Sequence, residues 1–429
     1  MTFRQMPDQW RAVAVQDCME AIIDYRGKTP RKAANGVPLV TARIIKDGRI
    51  RTPEEFIPEA DYAAWMRRGM PQSGDVLITT EAPLGEVAQL GDGRVALAQR
   101  VVALRGKTDQ LDNTYLKFAV KGEFVQRQLR GRSTGTTVLG IRQSELRKVL
   151  IPVPPLSEQR AIAGILGALD DKIELNRRMN ETLEGIARAI FKSWFVDFLP
   201  VRAKAEGRDP GLPVEIADLF PSSFVDSELG EIPEGWEPCD VGRHFRLTMG
   251  QSPLGSTYND TGEGLPFYQG RADFGFRFPT RRVFCSAPTR VAEIGDTLVS
   301  VRAPVGDVNV ANEKCAVGRG VAAIRHSGGS RSFTYCVMRN LSARFEHFEA
   351  EGTVFGAINK SDFERLPFVA PPLGVIAAFD RLVSPHDDKI ELNERQGDAL
   401  KCTRDTLLPK LISGELRVPD AERVVGRCV

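Results

Sequence analysis

The chain has 429 residues, which is long enough for two or three domains with cores of their own. Hydrophobic residues make up 42% of it and charged residues 27%, and these ordinary globular values argue against a wholly disordered chain. The net charge of +2 is unevenly distributed: residues 1–150 hold 24 Lys and Arg against 17 Asp and Glu, and residues 239–345 hold 14 against 8. The stretch 151–228 is mildly acidic, with 9 against 13. Two basic parts favour a polyanion bound at two places, although surface lysines alone could give similar numbers.

The same composition predicts a cytoplasmic protein. No run of about 18 apolar residues is present to span a membrane, and the N-terminal segment lacks the apolar stretch of a secretory signal. The 7 cysteines form no CxxC pair, which favours reduced thiols over disulfides or a zinc site. The 4 histidines have no ligand-like spacing, so we expect no bound metal.

The first predicted element is a mixed α/β globular unit, residues 1–155. Short β-rich runs punctuated by Gly and Pro, such as Val76–Thr80, predict strands joined by turns. A pattern typical of helices over 111–129 adds helical structure to the same unit.

A long helix is predicted next, over residues 156–199. Apolar residues recur at spacings of three and four from Ile162 to Trp194, which gives an a/d stripe of nearly five heptads. Ser157 is its expected N-cap. About 40 residues at a rise of roughly 1.5 Å each form a rod of about 60 Å.

A connector rich in Gly and Pro, residues 200–235, then leads to a second globular unit at 236–372. A second long helix is predicted over 373–416, and Pro409 should break it near its end. A C-terminal tail occupies 417–429.

The second half of this order repeats the first. Residues 170–176 (Asp-Asp-Lys-Ile-Glu-Leu-Asn) recur letter for letter at 387–393, and residues 135–198 match 352–415 at 17 of 64 positions. A β-rich run in each unit is followed by an Ala-Pro-x-Gly turn. The chain is therefore one α/β unit and one helix used twice, which predicts that it binds two similar things, or one thing with two halves.

The two helices are expected to bury their apolar stripes against each other. We therefore predict two similar α/β domains alternating with two long helices that pair as an antiparallel coiled coil, with a pseudo-two-fold relation between the halves. Antiparallel pairing brings Asn176 close to Asn393, where they would either be buried and fix the register or lie solvated at the edge. The residues expected in the helix pairing are Ile162, Leu166, Leu169, Ile173, Asn176, Leu183, Ile190, Trp194, Phe379, Val383, Ile390, Asn393, Leu400 and Leu407.

A search for catalytic motifs leaves no active site. The triplet Gly-Lys-Thr at 27–29 and 106–108 resembles the end of a phosphate-binding loop, but Ile22 and Val101 stand where that loop requires glycine. No GxGxxG or Asn-Pro-Pro-aromatic motif is present in the sequence. Asp-Asp-Lys at 170–172 resembles part of a nuclease motif, but it more simply supplies charged positions of the predicted helix.

Several motifs resemble those of type I restriction-modification specificity subunits. They are Pro-Leu-Ser-Glu-Gln-Arg at 155–160, Leu-Asp-Asp-Lys-Ile-Glu-Leu-Asn at 169–176, Phe-Lys-Ser-Trp-Phe-Val-Asp-Phe at 191–198, Pro-Val-Arg-Ala-Lys-Ala-Glu-Gly at 200–207, Leu-Gly-Glu-Ile-Pro-Glu-Gly-Trp at 229–236 and Leu-Leu-Pro-Lys-Leu-Ile-Ser-Gly-Glu-Leu at 407–416. The resemblance covers essentially the whole chain. It departs from the pattern at 374–376, where the second copy has Gly-Val-Ile in place of the Ser-Glu-Gln of 157–159.

The resemblance implies a subunit that is not an enzyme and whose two target recognition domains each bind one half of a split, asymmetric site on double-stranded DNA. The paired helices would hold the domains apart and so set the length of the unread spacer. Modification (methyltransferase) subunits, expected to be two, would bring S-adenosylmethionine. Restriction subunits would bring ATP- and Mg²⁺-dependent translocation and cleavage, and this chain would bind no cofactor itself.

Candidate DNA contacts are polar and basic side chains on turns of the two globular units, because such groups contact phosphates and base edges. For each of them the alternative is a solvated surface side chain. The candidates are Lys28, Thr29, Arg31, Lys32, Arg43, Gln99, Arg100, Gln251, Ser252, Tyr258, Tyr268, Gln269, Arg271, Arg302 and Arg319.

Two other functions are compatible with the sequence. One is a free-standing, sequence-specific DNA-binding regulator, which would repress a promoter without partners. The other is the recognition part of a methyltransferase fusion, against which the missing cofactor loop and Asn-Pro-Pro motif argue.

Overall fold

The computed structural model describes residues 7–25, 27, 29–350 and 356–426. The chain forms two compact units, which we call the first unit (Met1–Leu175 with Gln396–Val429) and the second unit (Asn176–Arg395). The division falls inside each of the two long helices, so both helices contribute to both units. Among the described residues, no helix combines the length and apolar character that crossing a membrane requires.

The first unit is a mixed α/β structure. Its strands are β1 (Arg11–Ala14), β2 (Met19–Asp24), β3 (Val37–Val40), β4 (Ile45–Lys46), β5 (Arg49–Ile50), β6 (Phe56–Ile57), β7 (Val76–Thr80), β8 (Leu84–Gln89), β9 (Ala96–Leu97), β10 (Val101–Gly106) and β11 (Leu150–Val153). Its helices are α1 (Val15–Cys18), α2 (Tyr62–Trp65), α3 (Asn113–Lys121), α4 (Glu123–Gly131), α5 (Gln143–Leu146), the first half of α6 (Leu156–Phe195), the second half of α12 (Leu373–Ser413) and α13 (Val418–Val425).

A four-stranded antiparallel sheet, in the order β2-β10-β7-β8, forms the centre of the first unit. Successive side chains of a strand point to opposite faces of the sheet. Val76 and Ile78 of β7 therefore enter the core that contains α3 and α6, whereas Leu77 enters a second core with residues of β3 and β9. Because both faces are covered, every residue of β7 is buried.

The second unit is built in the same way. Its strands are β12 (Phe224–Ser227), β13 (Gly230–Pro233), β14 (Glu237–Asp240), β15 (Phe245–Met249), β16 (Tyr258–Asn259), β17 (Leu265–Tyr268), β18 (Phe284–Cys285), β19 (Val291–Ala292), β20 (Thr297–Ser300), β21 (Val308–Val310), β22 (Cys315–Val317), β23 (Val321–His326) and β24 (Pro367–Ala370). Its helices are the second half of α6, then α7 (Leu199–Ala205), α8 (Val214–Ala217), α9 (Val241–His244), α10 (Arg331–Ala350), α11 (Lys360–Glu364) and the first half of α12 (Leu373–Ser413).

The central sheet of the second unit has the strand order β15-β23-β20-β21, again antiparallel. Each strand occupies the place of its sequence counterpart in the first unit, so β20 corresponds to β7 and β23 to β10. A five-stranded sheet, β16-β18-β17-β22-β19, packs beside it. The predicted fold class, two similar α/β domains alternating with two long paired helices, is confirmed.

The two long helices run antiparallel within each unit. In the first unit, Leu166 and Leu169 near the start of α6 share a core with Leu407 and Leu411 near the end of α12. In the second unit the order is reversed, because Phe191 near the end of α6 lies 5.9 Å, between ring centroids, from Phe379 near the start of α12. The residues predicted for the pairing are buried or half-buried, and Asn176 and Asn393 are buried rather than solvated at an edge.

Two predictions about the ends of the helices were wrong. Ser157 lies inside the first turn of α6 instead of capping it, because Pro155 already supplies the carbonyl that accepts from Glu158 N at 2.9 Å. Pro409 does not break α12, which continues to Ser413. A proline inside a helix costs about 3 kcal/mol, but continuing the helix buries Leu411 and Ile412 completely or nearly so, and each such side chain contributes about 1.5–3 kcal/mol. The first unit then ends with α13 (Val418–Val425).

Candidate nucleic-acid interface

Each unit has a cleft at the same point of its repeated fold, beyond the end of a central strand. The first cleft, of about 440 Å³, lies beyond β7, and the second, of about 360 Å³, lies beyond β20. A short backbone bridge closes one side of each cleft, between Glu81 and Gly140 in the first unit and between Arg302 and Ala357 in the second. In the repeat, Glu81 is equivalent to Arg302 and Gly140 is equivalent to Ala357. The two clefts are therefore bounded by equivalent backbone segments.

The side chains that line the two clefts differ. The first is lined by Gly27, Thr80, Glu81, Gln99, Arg100, Thr134, Val138, Gly140, Ile141 and Arg142. The second is lined by Met249, Gly250, Val301, Arg302, Arg319, Ala357, Ile358, Asn359 and Lys360. Among the residues that the structure describes, the second cleft has three cationic groups and no carboxylate in its lining, whereas the first has side chains of both charges.

Four of the predicted DNA contacts come together in these clefts, two in each. Gln99 and Arg100 line the first, where Arg100 Nη2 lies 3.5 Å from Glu81 Oε1. Arg302 and Arg319 line the second. Ser252, another of the predicted DNA contacts, holds Arg319 in place. Its Oγ accepts hydrogen bonds of 3.4 Å from both the N and the Nε of Arg319.

Sequence reasoning missed Arg142 in the first cleft and Asn359 and Lys360 in the second. Asn359 also caps α11, since its Oδ1 accepts from Asp362 N at 3.0 Å. The signal that could have found them is the repeat itself. Arg142 and Asn359 are equivalent at the offset of 217 residues and directly follow an aligned isoleucine.

The other candidates of the first unit that the structure describes do not line its cleft. Arg31 Nε lies 3.1 Å from Asp61 Oδ2, Lys32 Nζ lies 2.9 Å from Glu55 Oε2, and Arg43 Nη2 lies 3.3 Å from Glu54 Oε2. Such exposed pairs contribute at most about 1 kcal/mol each, so phosphates could replace these carboxylates as partners. Thr29 is exposed, and Lys28 lies outside the described residues.

In the second unit, Gln251, Gln269 and Arg271 are exposed, and Arg271 Nε lies 2.8 Å from Asp307 Oδ2. Tyr258 is half-buried and donates to Pro253 O at 2.9 Å. Tyr268 was a wrong candidate. Its side chain is only 1% exposed, in a small core with Leu298 and Val317, because its position in β17 points inward.

The globular part of each unit is fastened to the long helices through the first Asp of the repeated heptapeptide. In the first unit, Asp170 accepts from Lys117 Nζ and Arg404 Nη1, both at 2.8 Å. In the second, Asp387 accepts from Arg277 Nη1 at 2.5 Å and from Ser332 Oγ at 2.6 Å. Burial alone would raise the pKa of Asp170, but the Lys117 and Arg404 cations outweigh it and hold that pKa below its usual value.

Arg277 is the centre of this contact in the second unit. Its guanidinium also pairs with Glu184 at 2.9 Å and lies 3.9 Å above the Tyr335 ring. Tyr335 in turn donates to Glu184 Oε1 at 3.0 Å. Because the buried cation has two carboxylates and an aromatic face around it, the position of the globular part on the helices is closely defined.

Comparisons with known proteins agree on one family. Residues 68–185 match the type I restriction modification DNA specificity domain. The chain is 29% identical to the putative type I restriction enzyme MjaX specificity subunit of Methanocaldococcus jannaschii, over 96% of this chain and 95% of that one. It is 28% identical to the type I restriction enzyme MjaIX specificity subunit of the same organism, over 97% and 95%. The crystal structure of the S subunit of a type I restriction-modification system from M. genitalium has the same fold, with a TM-score of 0.61 at 15% identity, over 96% of this chain and 98% of that one.

Proposed function

We propose that this chain, which belongs to the family of type I restriction-modification specificity subunits, binds a bipartite, asymmetric target on double-stranded DNA. Each unit binds one half-site through its cleft. The observation that carries the proposal is the pair of equivalent clefts with different linings. Because equivalent backbone segments bound both clefts, both suit the same kind of ligand. Because the lining side chains differ, the two clefts suit different base sequences.

The chemistry of the linings fits the edges of base pairs. Arginine can donate two hydrogen bonds to guanine, and Asn or Gln can pair with adenine. Arg302, Arg319 and Asn359 offer these groups in the second unit, and Gln99, Arg100 and Arg142 offer them in the first. The exposed cations outside the clefts suit phosphates, which position the duplex without specifying its sequence.

We further propose that the helices determine the number of unread base pairs between the half-sites. Both α6 and α12 continue without a break from one unit into the other. A continuous helix has a fixed rise per residue, so its length is set by residue number. The buried asparagines of the second unit favour one register of the pair.

Two modification subunits are the proposed partners, and the exact repeat supports that number. Leu175 and Leu392 are equivalent and both are exposed, as are Asp171 and Asp388. The aligned segments match at only 17 of 64 positions, so most positions have changed between the two copies. Packing does not explain why these exposed side chains are still identical, because exposed side chains do not contribute to a core. Two identical pairs of exposed side chains suit two copies of one partner. We propose that these subunits bring S-adenosylmethionine, that restriction subunits bring ATP- and Mg²⁺-dependent cleavage, and that this chain supplies no catalytic group.

Mapping methylated adenines in the host genome, with and without the gene, tests the proposal. We expect one split motif to lose its methylation when the gene is deleted. The purified chain should methylate that motif only after modification subunits and S-adenosylmethionine are added. Methylation by the chain alone would favour a methyltransferase fusion, and repression of a promoter without partners would favour a free-standing regulator.

A further inference from the structure

Exposed aliphatic side chains lie beside both clefts. In the second unit Leu254 is 77% exposed, and in the first Val138 and Leu139 are 48% and 43% exposed. Single exposed apolar residues are common on protein surfaces and need no function by themselves. These three are of interest because each lies in a turn that is braced and that adjoins a cleft.

The turn that holds Leu254 is fixed by hydrogen bonds on both sides. Leu254 O accepts from Thr257 N at 2.9 Å and from Thr257 Oγ1 at 2.7 Å. Tyr258 donates to Pro253 O at 2.9 Å. At the start of the same turn, Ser252 accepts from Arg319 of the second cleft. The leucine is therefore held at a set place near a cationic side chain of that cleft.

The loop that holds Val138 and Leu139 is also closed at its base. Thr134 and Gly140 exchange backbone hydrogen bonds of 2.8 and 2.9 Å, and Ile141 N donates to Thr80 O at 2.9 Å, at the end of β7. Gly135 has a φ of +117°, and a Cβ there would lie 2.1 Å from Val138 O, so the loop needs glycine at this position. Val138 itself lines the first cleft.

We propose that Leu254 and the pair Val138–Leu139 are wedges that insert at a base step beside the half-site bound in the adjacent cleft. This inference rests on the proposed DNA-binding function. Architectural DNA-binding proteins insert leucine and other apolar side chains between base pairs, at an unstacking cost of a few kcal/mol. A braced turn reduces the further cost of ordering the wedge on binding. Adjacent arginines, Arg319 in the second unit and Arg100 and Arg142 in the first, would contact the base pairs next to the inserted side chain.

Insertion of the wedge would also make binding depend on base pairs that no polar side chain contacts. A base step that unstacks easily lowers the cost of insertion, so flexible steps such as TA or CA are favoured at the wedge. The recognised sequence should therefore include such a step next to each group of bases contacted in a cleft.

The test uses the full chain, without modification subunits, and duplexes that contain its mapped target with 2-aminopurine at single positions. Unstacking raises the fluorescence of this base. Wild-type chain should raise it at a step of each half-site. Leu254→Ser should abolish the rise in the second half-site only and weaken binding about ten-fold, because a leucine side chain is no longer buried. A double Val138→Ser, Leu139→Ser variant should act on the first half-site only.

Matched controls replace exposed apolar residues at the opposite ends of the same central strands. Ile294 precedes β20 and Met70 precedes β7, and both are exposed. Ile294→Ser and Met70→Ser should leave fluorescence and affinity unchanged. Circular dichroism and urea unfolding of every variant separate a folding defect from a binding defect.

The outcomes distinguish the wedge from the function on which it rests. If the wild-type chain does not prefer its mapped target, the DNA-binding proposal fails. If it binds specifically but fluorescence does not rise, or the serine variants keep the full rise, only the wedge is overturned. If the serine variants bind DNA as wild type does but no longer bind modification subunits, these side chains are protein contacts and the wedge is likewise overturned.

Discussion

Asn393 Nδ2 donates a hydrogen bond of 2.8 Å to Asn180 Oδ1, in the buried face between α6 and α12 of the second unit. Asn176 Nδ2 donates to Asn393 O at 3.5 Å, and Asn180 Nδ2 donates to Glu394 Oε1 at 3.2 Å. Asn176 and Asn393 are equivalent in the repeat, but the residue equivalent to Asn180 is Gly397. The network is therefore asymmetric, and sliding one helix past the other would leave its buried amides without these partners.

Replacing Asn393 by alanine should lower the free energy of unfolding by about 1–3 kcal/mol, because Asn180 then loses a partner while it stays buried. Replacing both Asn180 and Asn393 by leucine should recover most of that loss, since no buried amide is left unpaired. Urea unfolding measures both. Lys389→Ala, on the exposed face of α12, is the matched control. An unchanged stability of the Asn393→Ala variant would contradict the assigned hydrogen bonds.

Lengthening both helices by one heptad should lengthen the unread spacer. Seven residues inserted after Asn180 and seven before Asn393 add about 10 Å of helix, which corresponds to about three base pairs. Both asparagines stay on the same side of the insertions, so their hydrogen bond can still form. Methylation mapping should show the same two half-sites with a longer gap. An unchanged gap in an active complex would refute the proposed role of the helices.

Replacing Arg302 by alanine should weaken binding of the second half-site about 10- to 100-fold and leave preference in the first half-site unchanged, because it removes one cleft contact to a base. Arg271→Ala is the control in the same unit. Its guanidinium pairs with Asp307 outside the cleft, so a smaller loss without a change in preferred bases is expected. Competition binding with duplexes altered in one half-site at a time measures both. A shift of preference in the first half-site would show that the units are assigned to the wrong halves.

Asp170→Asn should lower the free energy of unfolding at pH 7 by about 3 kcal/mol or more, because Lys117 and Arg404 lose their shared carboxylate. The pKa of Asp170 is lowered by folding, so the stabilisation is complete above the unfolded-state pKa of about 3.9 and is lost as the pH falls through the lower folded-state pKa. Wild type and variant should therefore approach each other in stability at acid pH. Asp171→Asn, at an exposed position, should change little. A difference between wild type and Asp170→Asn that does not shrink in acid would contradict the assignment.

The repeat and the apolar stripe made the architecture predictable. A stripe such as that from Ile162 to Trp194 has one physical solution in water, which is burial against a similar stripe, and the identical heptapeptides aligned the two helices. Pro409 was misjudged because a local preference of about 3 kcal/mol was weighed without the tertiary burial of Leu411 and Ile412.

The lining of the clefts was less predictable. Gln99 and Arg302 could be chosen because they follow or precede recognisable strands, but Arg142 and Lys360 reach the same clefts from far along the chain. Tyr268 was chosen for its side-chain type, although its strand position decides which way it points. The apolar pattern of a single helix or strand indicates which of its side chains are buried. The residues that line a cleft come from several loops, so which of them meet is decided by the tertiary structure.

The ion pairs of Asp170 and Asp387, the first Asp of each repeated heptapeptide, also show how the two halves of the chain differ. Asp170 depends on Arg404, and the residue equivalent to Arg404 in the first copy is Ala187. Glu184, which holds Arg277, is likewise replaced by Lys401 in the second copy. A dimer made of two identical first halves would thus leave Asp170 without its arginine, because each copy of the helix supplies a charged side chain that the other copy lacks.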